Sequence, residues 1–338
     1  MKQHYLIRSG SLSGFDALVS ELGGDSEDLL SRCGLSRDDF SNPDNLIAFA
    51  GMINLLELAA EQLDCKDFGL RLAAKQGVEV LGPVGMLMQS SLTVREALAN
   101  AQRYMAVHSH GEYWMVREIN QTALIERYQV FQDISHAKQY KELSFGVCLR
   151  LIKALIGSQT KVQRLEFAHA PISDHGVYRK YFECQVVFNQ ENDRLILDSA
   201  YLSQDVQLIS QEDKHLIEVY LKSLIDQFGD DIERKVKTLI LQTMGIRESN
   251  IEDIALLLNM NKRTLQRRLK DRGLTFKQLL KEVRISTACW HLESSNIDIT
   301  LLSEVLGFAD VSAFSKSFRN TMNSSPLQWR KASNEKAK

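Results

Sequence analysis

A chain of 338 residues, 44% hydrophobic and 25% charged, has an ordinary globular composition and the length for two domains, each with its own core. Its formal charge of −2 conceals an asymmetry, because residues 232–338 hold 19 Lys and Arg against 11 Asp and Glu while residues 1–231 hold 22 against 32. Five scattered cysteines (Cys33, Cys65, Cys148, Cys184 and Cys289) argue against a disulfide framework or zinc knuckle, and no stretch approaches the ~20 apolar residues of a membrane span, so a cytoplasmic location is expected. A basic third joined to an acidic remainder suggests a polyanion-binding module, with chance segregation as the bland alternative.

Residues 1–43 are punctuated by glycines and predict one or two short helices, one over the apolar-periodic stretch 15–22. From Asn45 the apolar spacing of Leu46, Phe49, Ile53, Leu56 and Ala60 predicts a helix to about Leu63, after the start signals Pro43 and Asp44. Another helix follows over 68–75. The chain breaks at Gly82 and Pro83, and Thr93 is placed to cap a helix over 94–107. The period then changes. Segments 112–119 and 122–130 are rich in aromatic and branched residues and flank Asn120 and Gln121, which predicts a β-hairpin. A long helix over 135–156, a strand at 162–167, a short helix at 178–182 and strands at 185–188 and 194–197 complete an α+β domain with an antiparallel sheet, residues 1–205. A connecting helix spans about 206–228, within a linker region 206–231. Its stripe Ile217, Leu221, Leu224 and Phe228 suits either pairing of two chains or packing on its own domain.

Residues 232–338 read as all-α and contain one pattern twice. In the first copy Ile251, Ile254, Ala255 and Leu258 form the buried face of a helix, Asn259 takes a left-handed turn position, and Asn261 caps a second helix that buries Leu265 and Leu269. The outward face of that helix carries Lys262, Arg263, Gln266, Arg267, Arg268 and Lys270, side chains that read base edges or hold phosphates. In the second copy Leu301, Leu302, Val305 and Leu306 precede Gly307. Phe308 plugs the angle, Asp310 caps the next helix, and Phe314 and Phe318 face inward while Ser312, Ser315, Lys316 and Arg319 face out. These are two helix-turn-helix units. A linking helix over 275–293, with Phe276, Leu280, Val283, Thr287 and Trp290 on one side, is about 28 Å long at 1.5 Å per residue. Duplex DNA repeats every ~34 Å, so one rigid helix of that length can place both units in successive major-groove turns.

With both copies in hand, residues 232–333 resemble the DNA-binding domain of the AraC/XylS family of transcription regulators. The resemblance rests on Ile254, Ala255, Leu258, the run 263–269, Leu306 to Phe308, Phe314, Phe318, Arg319, Ser325, Pro326, Trp329 and Arg330. It implies that Arg263, Gln266 and Arg267 of the first copy and Ser312, Ser315 and Lys316 of the second face bases, with Lys262, Arg268, Lys270 and Arg319 on phosphates. Asn323 departs from the family's usual glycine. The segments 81–98 and 167–197 resemble the family's arabinose-binding-type sensing domain, which takes diverse effectors and so does not imply a sugar.

Other chemistry is sparse. His108 and His110, like His169 and His175, lack the spacing of a zinc pair, and no phosphate loop, nucleophile elbow or paired-carboxylate motif is present, so neither metal, cofactor nor enzymatic activity is expected. Tyr104, Tyr113, Trp114 and Tyr128, with nearby methionines, suit an apolar pocket or a core. Tyr104, His108, His110, Trp114, Arg117 and Arg127 are the candidate effector residues, with the histidines and arginines able to meet a carboxylate, which favours an apolar acid such as a fatty acid over a sugar. The sequence thus predicts an effector-modulated, DNA-binding transcription regulator. It would act as a homodimer on double-stranded DNA and contact RNA polymerase if it activates. The alternative is a ligand-independent regulator with an N-terminal assembly domain.

Overall fold

A computed structural model of the chain describes residues 5–129, 137–206, 214–226, 231–244, 250–294 and 297–336. Two compact units, Met1–Glu218 and Val219–Lys338, divide it. The first unit opens on β1 (Leu6–Arg8), followed by α1 (Phe15–Glu21), α2 (Ser26–Arg32) and β2 (Leu46–Ala48), which pairs antiparallel with β1. Here the structure departs from the expected helix. Ile47 is buried between exposed Leu46 and Ala48, a period of two, and the helix α3 (Phe49–Gln62) begins only after the strand.

Helices α4 (Phe68–Ala74), α5 (Pro83–Gln89) and α6 (Val94–His108) come next, the last capped by Thr93 Oγ1, which accepts from Glu96 N at 3.2 Å as its spacing predicts. The hairpin then forms where expected, as β3 (Glu112–Ile119) and β4 (Thr122–Gln129). Asn120 and Gln121 both take positive φ, 49° and 63°, so the turn twists with its strands. The helix α7 (Lys138–Ile156) runs against α3 and α4. Its close approach to α4 depends on missing side chains: a Cβ on Gly69 would sit 2.2 Å from the Gln139 carbonyl oxygen, and one on Gly146 2.6 Å from Ala73 Cβ.

Strand β5 (Val162–Glu166), α8 (His175–Phe182), β6 (Gln185–Val187) and β7 (Asp193–Asp198) complete a five-stranded sheet in the order β3-β4-β7-β5-β6. It is mixed rather than purely antiparallel. The β5 and β6 strands run parallel because α8 carries the chain back between them.

The division between units falls inside α9 (Lys214–Asp226). Ile217, Leu221 and Ile225 of this helix are buried, so two of the four residues of the stripe read as a pairing surface are already covered within the chain. Leu224 is half-buried, and Phe228 lies outside the described residues. The outward apolar side chains of α9 are instead Leu216, Val219 and Tyr220.

The second unit consists of α10 (Ile232–Thr243), α11 (Ile251–Leu257), α12 (Lys262–Lys270), α13 (Phe276–Ser294), α14 (Ile299–Val305), α15 (Val311–Met322) and α16 (Pro326–Lys336). No helix among the described residues is long and apolar enough to cross a membrane.

Candidate nucleic-acid interface and effector cavity

Each helix-turn-helix is fixed by local backbone chemistry. The Asn250 side chain caps α11 by accepting from Asp253 N at 2.8 Å, Asn259 turns the chain at φ 52°, and Asn261 Oδ1 accepts from Thr264 N at 2.9 Å to start α12. Asp298 caps α14, Gly307 turns at φ 70°, and Asp310 Oδ1 accepts from Ala313 N at 2.7 Å to start α15. The turn positions read from Asn259 and Gly307 are both left-handed, and Asn323 takes a third such position at φ 54° where α15 stops.

Behind the turns lie the cores. Leu265 and Leu269 of α12 are buried with Ile254, Ala255 and Leu258. Phe308 meets Phe314 at 5.4 Å between ring centres, and Phe318 meets Trp329 edge-on at 6.0 Å. One contributor escaped the sequence reading. Arg284 of α13 donates through Nη2 to the Gly307 carbonyl at 2.6 Å and lays its guanidinium 4.8 Å from the Phe308 ring centre, which ties the linking helix to the second turn. Its signal, an arginine amid an apolar helical stripe, resembles any exposed cation until the fold is known. The buried residues of α13 include Leu279 and Val283, whereas Leu280, assigned to the stripe from its spacing, is only half-buried.

The outward faces differ in kind. On α12, Lys262, Arg263, Gln266, Arg267, Arg268 and Lys270 are all exposed, and Lys262 Nζ pairs with Glu252 at 2.5 Å. The bond to Lys262 holds the Glu252 carboxyl below its ordinary range. On α15, Ser312, Lys316 and Arg319 are exposed and Ser315 is half-buried. The first face is dense in cations and planar amides, and the second is sparse. Helix α13, 19 residues long, joins the two copies while packing on α10 and α16.

The first unit holds a cavity between α6, the β3 strand and α7. Its wall is nearly all apolar, with Met105 from α6, Trp114 and Val116 from β3, and Leu143, Val147 and Leu151 from α7. Of the six candidate effector residues, His108 and Trp114 line it. Tyr104 and His110 are buried but do not reach the lining. Arg117 lies on the opposite face of β3 and grips Glu126 with two bonds, at 2.6 and 2.9 Å. Arg127 is buried behind the wall, donates to Glu112 at 2.6 Å and sits 4.8 Å from the Tyr140 ring centre. Both arginines are therefore engaged by carboxylates of the hairpin itself. The contribution of α7 was missed, since its fourfold leucine and valine spacing looks the same whether it faces a core or a cavity.

Comparison with known proteins agrees with this division. Residues 23–206 match the family described as the arabinose-binding domain of AraC transcription regulator, N-terminal, and residues 254–332 match the helix-turn-helix domain family. The chain is 30% identical over 327 residues to the HTH-type transcriptional regulator VirS of Mycobacterium tuberculosis, covering 96% of each. It is 24% identical over 322 residues to the ornithine utilization regulator of Pseudomonas aeruginosa, covering 93% of each. Among solved structures, the transcriptional regulator CdpR of Pseudomonas aeruginosa aligns at 21% identity with a TM-score of 0.44, over 81% of this chain and 91% of that one.

Proposed function

We propose a mechanism for this chain, which belongs to the AraC family of transcription regulators: the DNA-binding domain, residues 232–338, reads duplex DNA with α12 and α15, and a small molecule in the cavity of the sensing domain, residues 1–205, modulates that affinity through the connecting segment 206–231. The observation that carries the DNA half is the pair of capped, outward-facing helices on one linking helix. Arg263, Gln266 and Arg267, with Ser312, Ser315 and Lys316, are the base readers of this reading. Lys262, Arg268, Lys270 and Arg319 hold phosphates.

The sensing half is supported by an apolar cavity within the segment that matches the family's ligand-binding domain. Its lining suits the apolar body of a fatty acid or similar molecule. A carboxylate head finds less support, because Arg117 and Arg127, the cations expected to meet it, are closed on Glu126 and Glu112. RNA polymerase is the further partner if the bound protein activates. A titration of operator DNA with the full chain, in the absence and presence of a panel of apolar compounds, tests the reading. A compound that stabilises the protein should change operator affinity several-fold, and a stabilising panel without any such change would overturn the sensing half.

A further inference from the structure

The polar side chains that reach the cavity are few, and nearly all are engaged. Gln76 Nε2 donates to the carbonyls of Ser11 and Ser13 at 3.0 and 2.9 Å, Gln102 Nε2 donates to that of Trp114 at 2.8 Å, and the Ser144 hydroxyl donates to that of Lys141 at 2.9 Å. Glu112 accepts from Arg127 on one oxygen and from the Tyr140 hydroxyl, at 2.9 Å, on the other. His108 is the exception. Its Nε2 lies 3.4 Å from Ser11 Oγ, while its Nδ1 is fully buried with no hydrogen-bond partner.

Charge is balanced around the same space. The described lining contains no lysine or arginine, and its single carboxylate, Glu112, is paired with Arg127. Arg8, close enough for its field to act on His108, is bound to Asp44 and to the Val80 carbonyl. Burial, reinforced by Arg8, lowers the imidazole to about 3, so His108 is neutral across the physiological range. A carboxylate or ammonium group entering here would be an uncompensated charge among apolar side chains. A neutral imidazole nitrogen donates or accepts according to its tautomer, so a carbonyl or a hydroxyl can satisfy it.

We propose that the cavity takes an uncharged, mainly apolar molecule whose single hydroxyl or carbonyl group hydrogen-bonds the imidazole of His108. This rests on the sensing role proposed above and names the chemistry of its ligand, replacing the apolar carboxylate with a neutral head.

The test is calorimetric titration of the full chain at pH 7 with 1-octanol, 2-octanone, octanoate and octylammonium, with operator affinity measured in parallel. One of the neutral probes should bind at least about tenfold more tightly than either ion, and His108→Leu should weaken that neutral probe about tenfold. His108→Gln, which keeps a polar amide, should retain more of the affinity than His108→Leu and serves if the leucine variant does not fold. Binding of octanoate or octylammonium as tight as that of the neutral probes overturns the proposal, and if the same ion shifts operator affinity the sensing role survives without it. The proposal also falls if no probe binds, or if a folded His108→Leu protein binds the neutral probes unchanged. Neutral probes that bind as expected yet leave operator affinity unmoved would support the cavity chemistry and sink the sensing role.

Discussion

At the residue scale, the proposed reading has adjacent positions on one helix separate reading sequence from holding the duplex. Arg267 and Arg268 are both exposed on α12, but the family resemblance directs Arg267 toward base edges and leaves Arg268 for the phosphates. Arg267→Ala should lose about 1–3 kcal/mol of discrimination at one or two base pairs, while Arg268→Ala should weaken specific and random duplexes alike. Anisotropy titrations on both duplexes decide it, and equal losses for Arg267→Ala on the two would refute the assignment. A second residue makes stability depend on pH. Glu142 of α7 is buried, accepts from the Tyr178 hydroxyl at 2.7 Å, and has His169 Nε2 4.0 Å away; burial outweighs the Tyr178 bond and raises its carboxyl to about 8. Between about 4.5 and 8 the folded protein therefore holds a proton that the unfolded chain has released. The neutral carboxyl's contribution is complete below about 4.5 and is lost as pH rises through about 8. Glu142→Gln should flatten this fall, on the order of a few kcal/mol, and a thermal midpoint series from pH 5 to 9 that falls as steeply in the variant as in the wild type would refute it.

At the element scale, α9 separates apolar residues that hold the fold from those that do not. Leu221 is 0% exposed and Leu216 66% exposed, so Leu221→Ala should cost about 2–5 kcal/mol of stability and Leu216→Ala less than about 0.5. Urea unfolding of both variants measures the contrast, and equal midpoints would show that the helix is held by neither face. How much of each element was legible depended on whether its determinants were local. The hairpin and both helix-turn-helix copies were, because turn residues such as Asn120, Asn259 and Gly307 and caps such as Asn261 and Asp310 act within a few residues of themselves. Strand β2 was not, since its three residues become a strand only by pairing with β1 some forty positions earlier. The lining of the cavity was legible only in part. His108 and Trp114 line the cavity as anticipated, whereas the fate of Arg127 was decided by hairpin register, which sets it beside Glu112.

At the scale of the whole molecule, the proposed reading makes the spacing of the DNA site a structural constant set by the linking helix. Because α13 packs on both α10 and α16, five base pairs inserted between the two contacted segments should reduce affinity to that of one helix-turn-helix, at least about tenfold, and ten should not restore it. Recovery at ten base pairs in a footprinting series would mean that the connection bends. The two copies also repeat a fold without repeating a surface, since α12 shows arginines, lysines and a glutamine where α15 shows serines and single cations. A tandem pair of unlike halves has no axis of symmetry, so one chain laid on a duplex has a head and a tail. Turning its site end for end leaves the same contacts in place but points the other end of the protein at the neighbouring promoter, and the bound molecule thereby behaves as an arrow rather than a mark.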